Sequence, residues 1–139
     1  MRVLIDTHIV LDFLLQREPF FQKADLLFQT IDSGRVVGYI TATTLTDIFY
    51  ISRRHTGSIE KARQAILDTL TAMVICPVNR AVLESAFVSG LPDFEDAVQI
   101  ACAIAQGLDA ITTRDADFSS VLLPVLTVEE ILQQLDSET

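Results

Sequence analysis

RVLIDTHIVLDFLL, residues 2–15, changes its hydrophobic period partway along. Arg2 to Asp6 is a short β-branched run that reads as a buried strand. From His8 to Leu15 the apolar residues fall at Ile9, Val10, Phe13 and Leu14, which is helical spacing. A strand therefore passes into a helix, and the carboxylate of Asp6 directly follows the apolar VLI. Pro19 ends that helix, because a proline disfavours helix at the residue before it.

The same alternation continues outward. Phe20 to Ile31 predicts a second amphipathic helix with Ala24, Leu27, Phe28 and Ile31 on one face, closed by Gly34. Val36 to Ile40 predicts a strand, Thr43 to Arg53 a helix, and Ser58 to Leu70 a third long helix. Ser58 is its N-cap, and Ala62, Ile66 and Leu70 lie on one side. Met73 to Val78 is strand-like, Asn79 to Val88 a short helix capped by Asn79. Pro92 and Asp93 open a helix running to Gln106. Ala110 to Thr113 and Val125 to Thr127 are strands, Val128 to Leu135 is a terminal helix, and Asp136 to Thr139 read as frayed. Strands alternating with helices of this length predict an α/β fold: three layers, α/β/α, around a mainly parallel central sheet.

A length of 139 residues and a hydrophobic fraction of 50% suit one domain, residues 1–139, with a single substantial core. There is no repeat, low-complexity tract or linker. No apolar run is long enough to span a bilayer, and the N-terminal run does not read as a signal peptide. Cys76 and Cys102 sit in apolar stretches with no second Cys or His at metal-ligand spacing. Buried reduced thiols in a cytoplasmic protein are the expectation.

The formal net charge of −9 argues against a conventional high-affinity RNA-binding surface. Basic residues nevertheless gather at Arg53, Arg54, His55, Lys61 and Arg63. They form either a local patch that guides an anionic strand or a solvated helix–turn–helix edge.

In open parallel sheets, sites form beyond the carboxyl ends of strands. Asp6 follows the first strand, Asp115 and Asp117 follow AITT, Asp96 lies in the first turn of the helix leading to that strand, and Asp47 lies in the helix after the second strand. Each has a structural explanation as well. Asp6 could cap the first helix, Asp93 and Asp96 could form a capping arrangement, and Asp115 and Asp117 could make a polar turn. Asp47 resists one: Leu45, Ile48, Phe49 and Ile51 around it are apolar, and no Lys or Arg stands one helical turn away. Several gathered carboxylates suit a hard divalent cation, which offsets their mutual repulsion and makes a coordinated water easier to deprotonate.

VLIDTHIVLDFLLQREPF, TATTLTDIFYI, LPDFEDAVQIACA and AITTRDADF together resemble PIN domains in order and spacing, over essentially the whole chain. DFEDAVQ followed by TTRDADF is the most specific part. The resemblance implies Asp6, Asp47, Asp96 and Asp115 as catalytic acids, and Asp6, Asp96 and Asp115, with Asp117 nearby, as ligands of Mg²⁺ or Mn²⁺. It also implies that Thr113, beside the last acid, orients a metal water. It implies hydrolysis of phosphodiester bonds in single-stranded RNA, a homodimer, and a small antitoxin protein as partner in a toxin–antitoxin pair. Two departures stand out: the second acid is more often Glu than Asp47, and the position of His8 is commonly Asn. His8 could contact phosphate or be a residue of the helix start. Arg53, Arg54 and Arg114 are the basic residues expected along the RNA path. The alternatives are a PIN-like binding module that has lost catalysis and a phosphoacceptor signalling domain. The latter needs a lysine near the acids, whereas Lys23 and Lys61 both fall on amphipathic helices.

Overall fold

The computed structural model describes residues 1–138. In chain order the elements are β1 (Arg2–Ile5), α1 (Thr7–Leu14), α2 (Phe21–Asp32), β2 (Val37–Thr41), α3 (Ala42–Thr56), α4 (Ile59–Ala72), β3 (Val74–Cys76), α5 (Arg80–Val88), α6 (Phe94–Ala105), β4 (Ala110–Thr112), β5 (Val125–Leu126) and α7 (Val128–Ser137). The strands form one sheet in the order β3-β2-β1-β4-β5, and every pairing is parallel. The expected three-layer α/β/α architecture is present, with a sheet that is parallel throughout.

Side-chain alternation along the strands divides the core. Val3, Ile5 and Ile40 face one layer, packing with Ile9, Val10 and Leu11 of α1, Leu27 of α2, Ile48 of α3, Ala65 of α4 and Ile131 of α7. Leu4, Tyr39, Cys76 and Ile111 face the other, against Val82 and Ala86 of α5 and Val98 and Ala103 of α6. β1 is buried on both faces, which explains why VLI is apolar without interruption. Gly38 lets the first layer close over β2, since a Cβ there would sit 2.9 Å from both Ile31 Cδ1 and Met73 Sδ.

Helix starts follow the expected chemistry. Ser58 caps α4 by accepting from Lys61 N, and Asn79 caps α5 by accepting from Val82 N. Thr127 and Glu130 form a reciprocal capping box on α7. Three expectations change. The buried stripe of α4 is Ala62, Ala65 and Thr69, and Leu70 faces solvent, because the helix is rotated to pack against α3. Asp136 and Ser137 are helical rather than frayed, the last turn being held by buried Leu135; Thr139 lies outside the described residues. α3 runs on to Thr56, so Arg53, Arg54 and His55 form its final turn before Gly57, which takes the left-handed conformation at φ 67°. Cations there complement the negative end of the helix dipole.

Cys76 and Cys102 are free and buried, and burial pushes both thiols up to about 11. Among the described residues, no helix is long and apolar enough to cross a membrane.

Candidate active site

Strand order creates the site. From central β1 the chain builds outward on one side through β2 and β3, then crosses over to place β4 against the other side of β1. The carboxyl ends of β1 and β4 therefore flank a topological switch point, where open α/β sheets form crevices. Asp6 leaves β1 at this place, and Thr113 leaves β4. Asp6 N donates to Thr112 O at 3.0 Å, so the sheet register carries one residue into the site.

Asp6 stands at the N-cap position of α1, but its side chain makes no capping hydrogen bond. Its carboxylate is held instead from α6 and from the end of β4. Gln99 Nε2 of α6 donates to Oδ1 at 3.1 Å, and the Thr113 hydroxyl donates to Oδ2 at 2.8 Å. Asp6 is only 8% exposed, and Gln99 2%. Each carboxylate oxygen has thus accepted one protein donor and retains a lone pair. Gln99 Oε1 is buried with no partner.

Thr113 also organises the turn behind it. Its Oγ1 accepts from Asp115 N at 3.1 Å, and Asp115 Oδ1 accepts from Asp117 N at 2.9 Å. Buried Phe118 anchors the far end of the turn in the core. Asp115 therefore makes the polar turn considered for it, while its carboxylate still bears on the site. Asp117 is exposed and tied in by its backbone N–H. Thr113, expected to orient a metal water, commits its hydroxyl hydrogen to Asp6.

On α6 the N-cap is Asp93, which accepts from Asp96 N at 3.1 Å; Asp96 is the capped residue. The Asp96 carboxyl is pushed up to about 6, chiefly by burial and then by the neighbouring charges of Asp93, Asp6 and Asp115. Glu95 goes further, to about 7. Burial of its carboxyl is the largest cause, followed by a hydrogen bond and charge repulsion with Asp47 and by the charges of Asp6 and Asp93. The half-buried Asp47 of α3 thus has another acid as its neighbour. Asp96 thus feels the charges of Asp6 and Asp115, and Asp47 joins them only through Glu95, which feels both Asp47 and Asp6.

Two participants, Glu95 and Gln99, and one buried carboxylate outside the acid group, Asp12, are absent from the sequence-based set. Glu95 reads as a helix-start acid beside Asp93 and Asp96. Gln99 stands four residues after Glu95, one helical turn on, within the apolar run AVQIACA. That placement is the same signal that singles out Asp47. Asp12 of α1 is 1% exposed and shared by two guanidinium groups. Arg17 Nε donates to Oδ1 at 2.9 Å, and Arg114 Nε to Oδ2 at 2.9 Å.

The basic residues are redistributed as well. Arg53 and Arg54 lie six and seven residues beyond Asp47 on α3, roughly 9 to 10.5 Å farther along the axis. Arg114 is close to the acids but engaged with Asp12. His8 is an exposed residue of the first turn of α1, as the helix-start reading has it. Lys23 pairs with Glu129 of α7, and Lys61 belongs to the first turn of α4, so neither serves the acid cluster as a phosphoacceptor site requires.

Among the described residues, no three His, Cys, Asp or Glu side chains converge tightly enough to hold an ion as they stand. The donor set nonetheless fits a hard divalent cation: it is all oxygen, without thiol or imidazole. Burial raises Asp96 and Glu95 most, and the repulsion that adds to it is the field a cation relieves.

A family model described as PIN domain matches residues 2–117. Among solved structures, the Mycobacterium tuberculosis toxin VapC20, described as cleaving the sarcin–ricin loop, superposes with a TM-score of 0.68 at 18% identity over 84% of this chain and 92% of that one. A toxin–antitoxin complex from Klebsiella pneumoniae gives 0.67 at 18% identity, covering 91% and 97%. VapBC2 from Rickettsia felis, bound to a fragment of its promoter DNA, gives 0.65 at 13%, covering 91% and 98%. No curated protein matches. Identities this low carry the fold alone, whereas the family match spans most of the chain. The chain belongs to the PIN domain family.

Proposed function

We propose that this protein is a divalent-metal-dependent endoribonuclease that hydrolyses phosphodiester bonds in single-stranded RNA. The observation that carries the reading is Asp6, buried at the switch point and held by Gln99 and Thr113, its charge acting on Asp96 together with that of Asp115. Asp6, Asp96 and Asp115 would hold Mg²⁺ or Mn²⁺, with Asp47, Asp117 and Glu95 completing the acidic rim. When bound, such an ion polarises the phosphate and lowers the pKa of a coordinated water.

The chain's own residues fix the geometry. Gln99 and Thr113 hold the Asp6 carboxylate in one orientation, as outer partners of ligating carboxylates commonly do. The Thr113 hydroxyl couples that orientation to Asp115 through the Asp115 N–H. Asp96 projects from the first turn of α6, where the helix dipole favours the ionised form and partly counters its neighbours.

The family membership, and toxin–antitoxin structures among those of the same fold, support a second element: the protein acts as the toxin of a toxin–antitoxin pair, partnered by a small antitoxin. A homodimer is part of the same proposal. Cleavage of a mixed RNA pool with and without Mn²⁺, with fragment ends mapped and Asp96→Asn as control, tests the chemistry. Metal-dependent cuts lost in Asp96→Asn support it; cuts that persist in that variant, or none in the parent chain, overturn it.

A further inference from the structure

A second feature lies one residue from the acids and is not used by them. Arg114 follows Thr113 and precedes Asp115, and its guanidinium carbon stands 3.8 Å from the centroid of the Phe20 ring. Phe20, in the turn before α2, is 39% exposed, and the Arg114 side chain 38%. A groove of roughly 340 Å³ opens there, walled by Ile9, Pro19 and Val128 as well as by Phe20 and Arg114. Ligand sites of this kind are concave, mostly apolar and supplied with a few fixed polar groups.

The local charge is unusual for this molecule. Asp12 is a single carboxylate, buried and shared by Arg17 and Arg114, so two cations face one anion. Lys23 and Glu129, which also line the groove, pair with each other, so the three-residue cluster of Asp12, Arg17 and Arg114 keeps a charge of +1 within a chain of net charge −9. Arg17 also donates to His8 O at 3.0 Å, which ties the pair to the first turn of α1. The guanidinium of Arg114 is therefore fixed on its Asp12 edge and on its Phe20 face.

We propose that the Phe20–Arg114 stack is a nucleobase platform, which seats a base of the RNA strand next to the phosphate that meets the acids. This rests on the ribonuclease reading above. Single-stranded RNA is recognised through unstacked bases laid on aromatic rings or arginine planes, with positive charge for the backbone. The cluster offers both, and Arg114 immediately precedes Asp115 in the chain. It also gives an acidic protein a way to hold RNA without a broad basic surface.

The test is steady-state cleavage of a fluorescein-labelled, mixed-sequence single-stranded oligoribonucleotide in Mn²⁺. Phe20→Ala, Phe20→Trp and the parent chain are compared, with thermal melts to confirm folding. Removing one base–aromatic stack should raise KM roughly tenfold, the loss falling on KM rather than kcat. Phe20→Trp should restore it, because the platform needs a ring rather than phenylalanine itself. Anisotropy of the same oligonucleotide in the Asp96→Asn background should show the same loss of affinity on Phe20→Ala. An unchanged KM in a folded Phe20→Ala, or no rescue by tryptophan, overturns the platform and leaves the ribonuclease reading standing. A parent chain that cleaves no RNA overturns that reading first.

Discussion

The Thr113 hydroxyl donates to Asp6 Oδ2 at 2.8 Å, across 107 positions of sequence. It closes the carboxyl ends of two adjacent parallel strands over the switch point and also receives the Asp115 N–H. Thr113→Val keeps the shape and removes both bonds. We predict a loss of RNA cleavage of about 10- to 100-fold, the usual cost of removing an outer partner. Thr113→Ser should recover most of the activity; equal defects in the two variants would rule out the hydrogen bond as the cause.

Gln99 gives a different balance of activity and stability. Its Nε2 orients Asp6, but its Oε1 is buried without a partner, a state that costs stability. Gln99→Leu should therefore lower activity, again by about 10- to 100-fold, with little or no fall in melting temperature. A large loss of stability would show that the amide serves the core rather than the site.

The acids of α6 make stability depend on pH and on metal. Asp96 is raised from 3.8 to about 6 and Glu95 from 4.5 to about 7, so the folded chain holds protons that the unfolded chain has released between those values. Stability without metal should rise as pH falls from about 7.5 to about 5 through these groups, the opposite of the trend from a salt-bridged carboxylate. Asp96→Asn and Glu95→Gln should each flatten the profile. Millimolar Mn²⁺ should raise the melting temperature at pH 7.5, with EDTA reversing it. Melts across this pH range, with and without Mn²⁺, read both effects, and a profile unchanged by either substitution would refute this assignment.

Asp12 predicts a structural defect. Its removal leaves two guanidinium groups facing each other, partly open to water, beside a core helix. Asp12→Ala should destabilise by about 3 kcal/mol, the lower end for a broken buried pair. Urea unfolding checks it, and a loss within experimental error would mean that both arginines simply turn to solvent.

The sequence by itself determined the architecture. RVLID followed by a helical period, repeated along the chain, already specifies parallel strands with crossovers, because strand and helix periods are local properties. It also marked Asp47, since a carboxylate in an apolar helical stretch has no cheap local explanation. Asp6 and Asp96 remained ambiguous there, because a strand-end or first-turn acid looks the same whether it caps a helix or binds an ion.

Tertiary structure decided which acids cap: neither Asp6 nor Asp96 does. The strand order puts Thr113 and Gln99 on Asp6, which leaves capping to Asp93 on α6 and to no side chain on α1. It also gives Asp47 an acid, Glu95, for a neighbour and commits Arg114 to Asp12 and Phe20. Such pairings join residues tens of positions apart. They depend on which strands are adjacent, and hydrophobic periodicity fixes the face of a strand but not its neighbour.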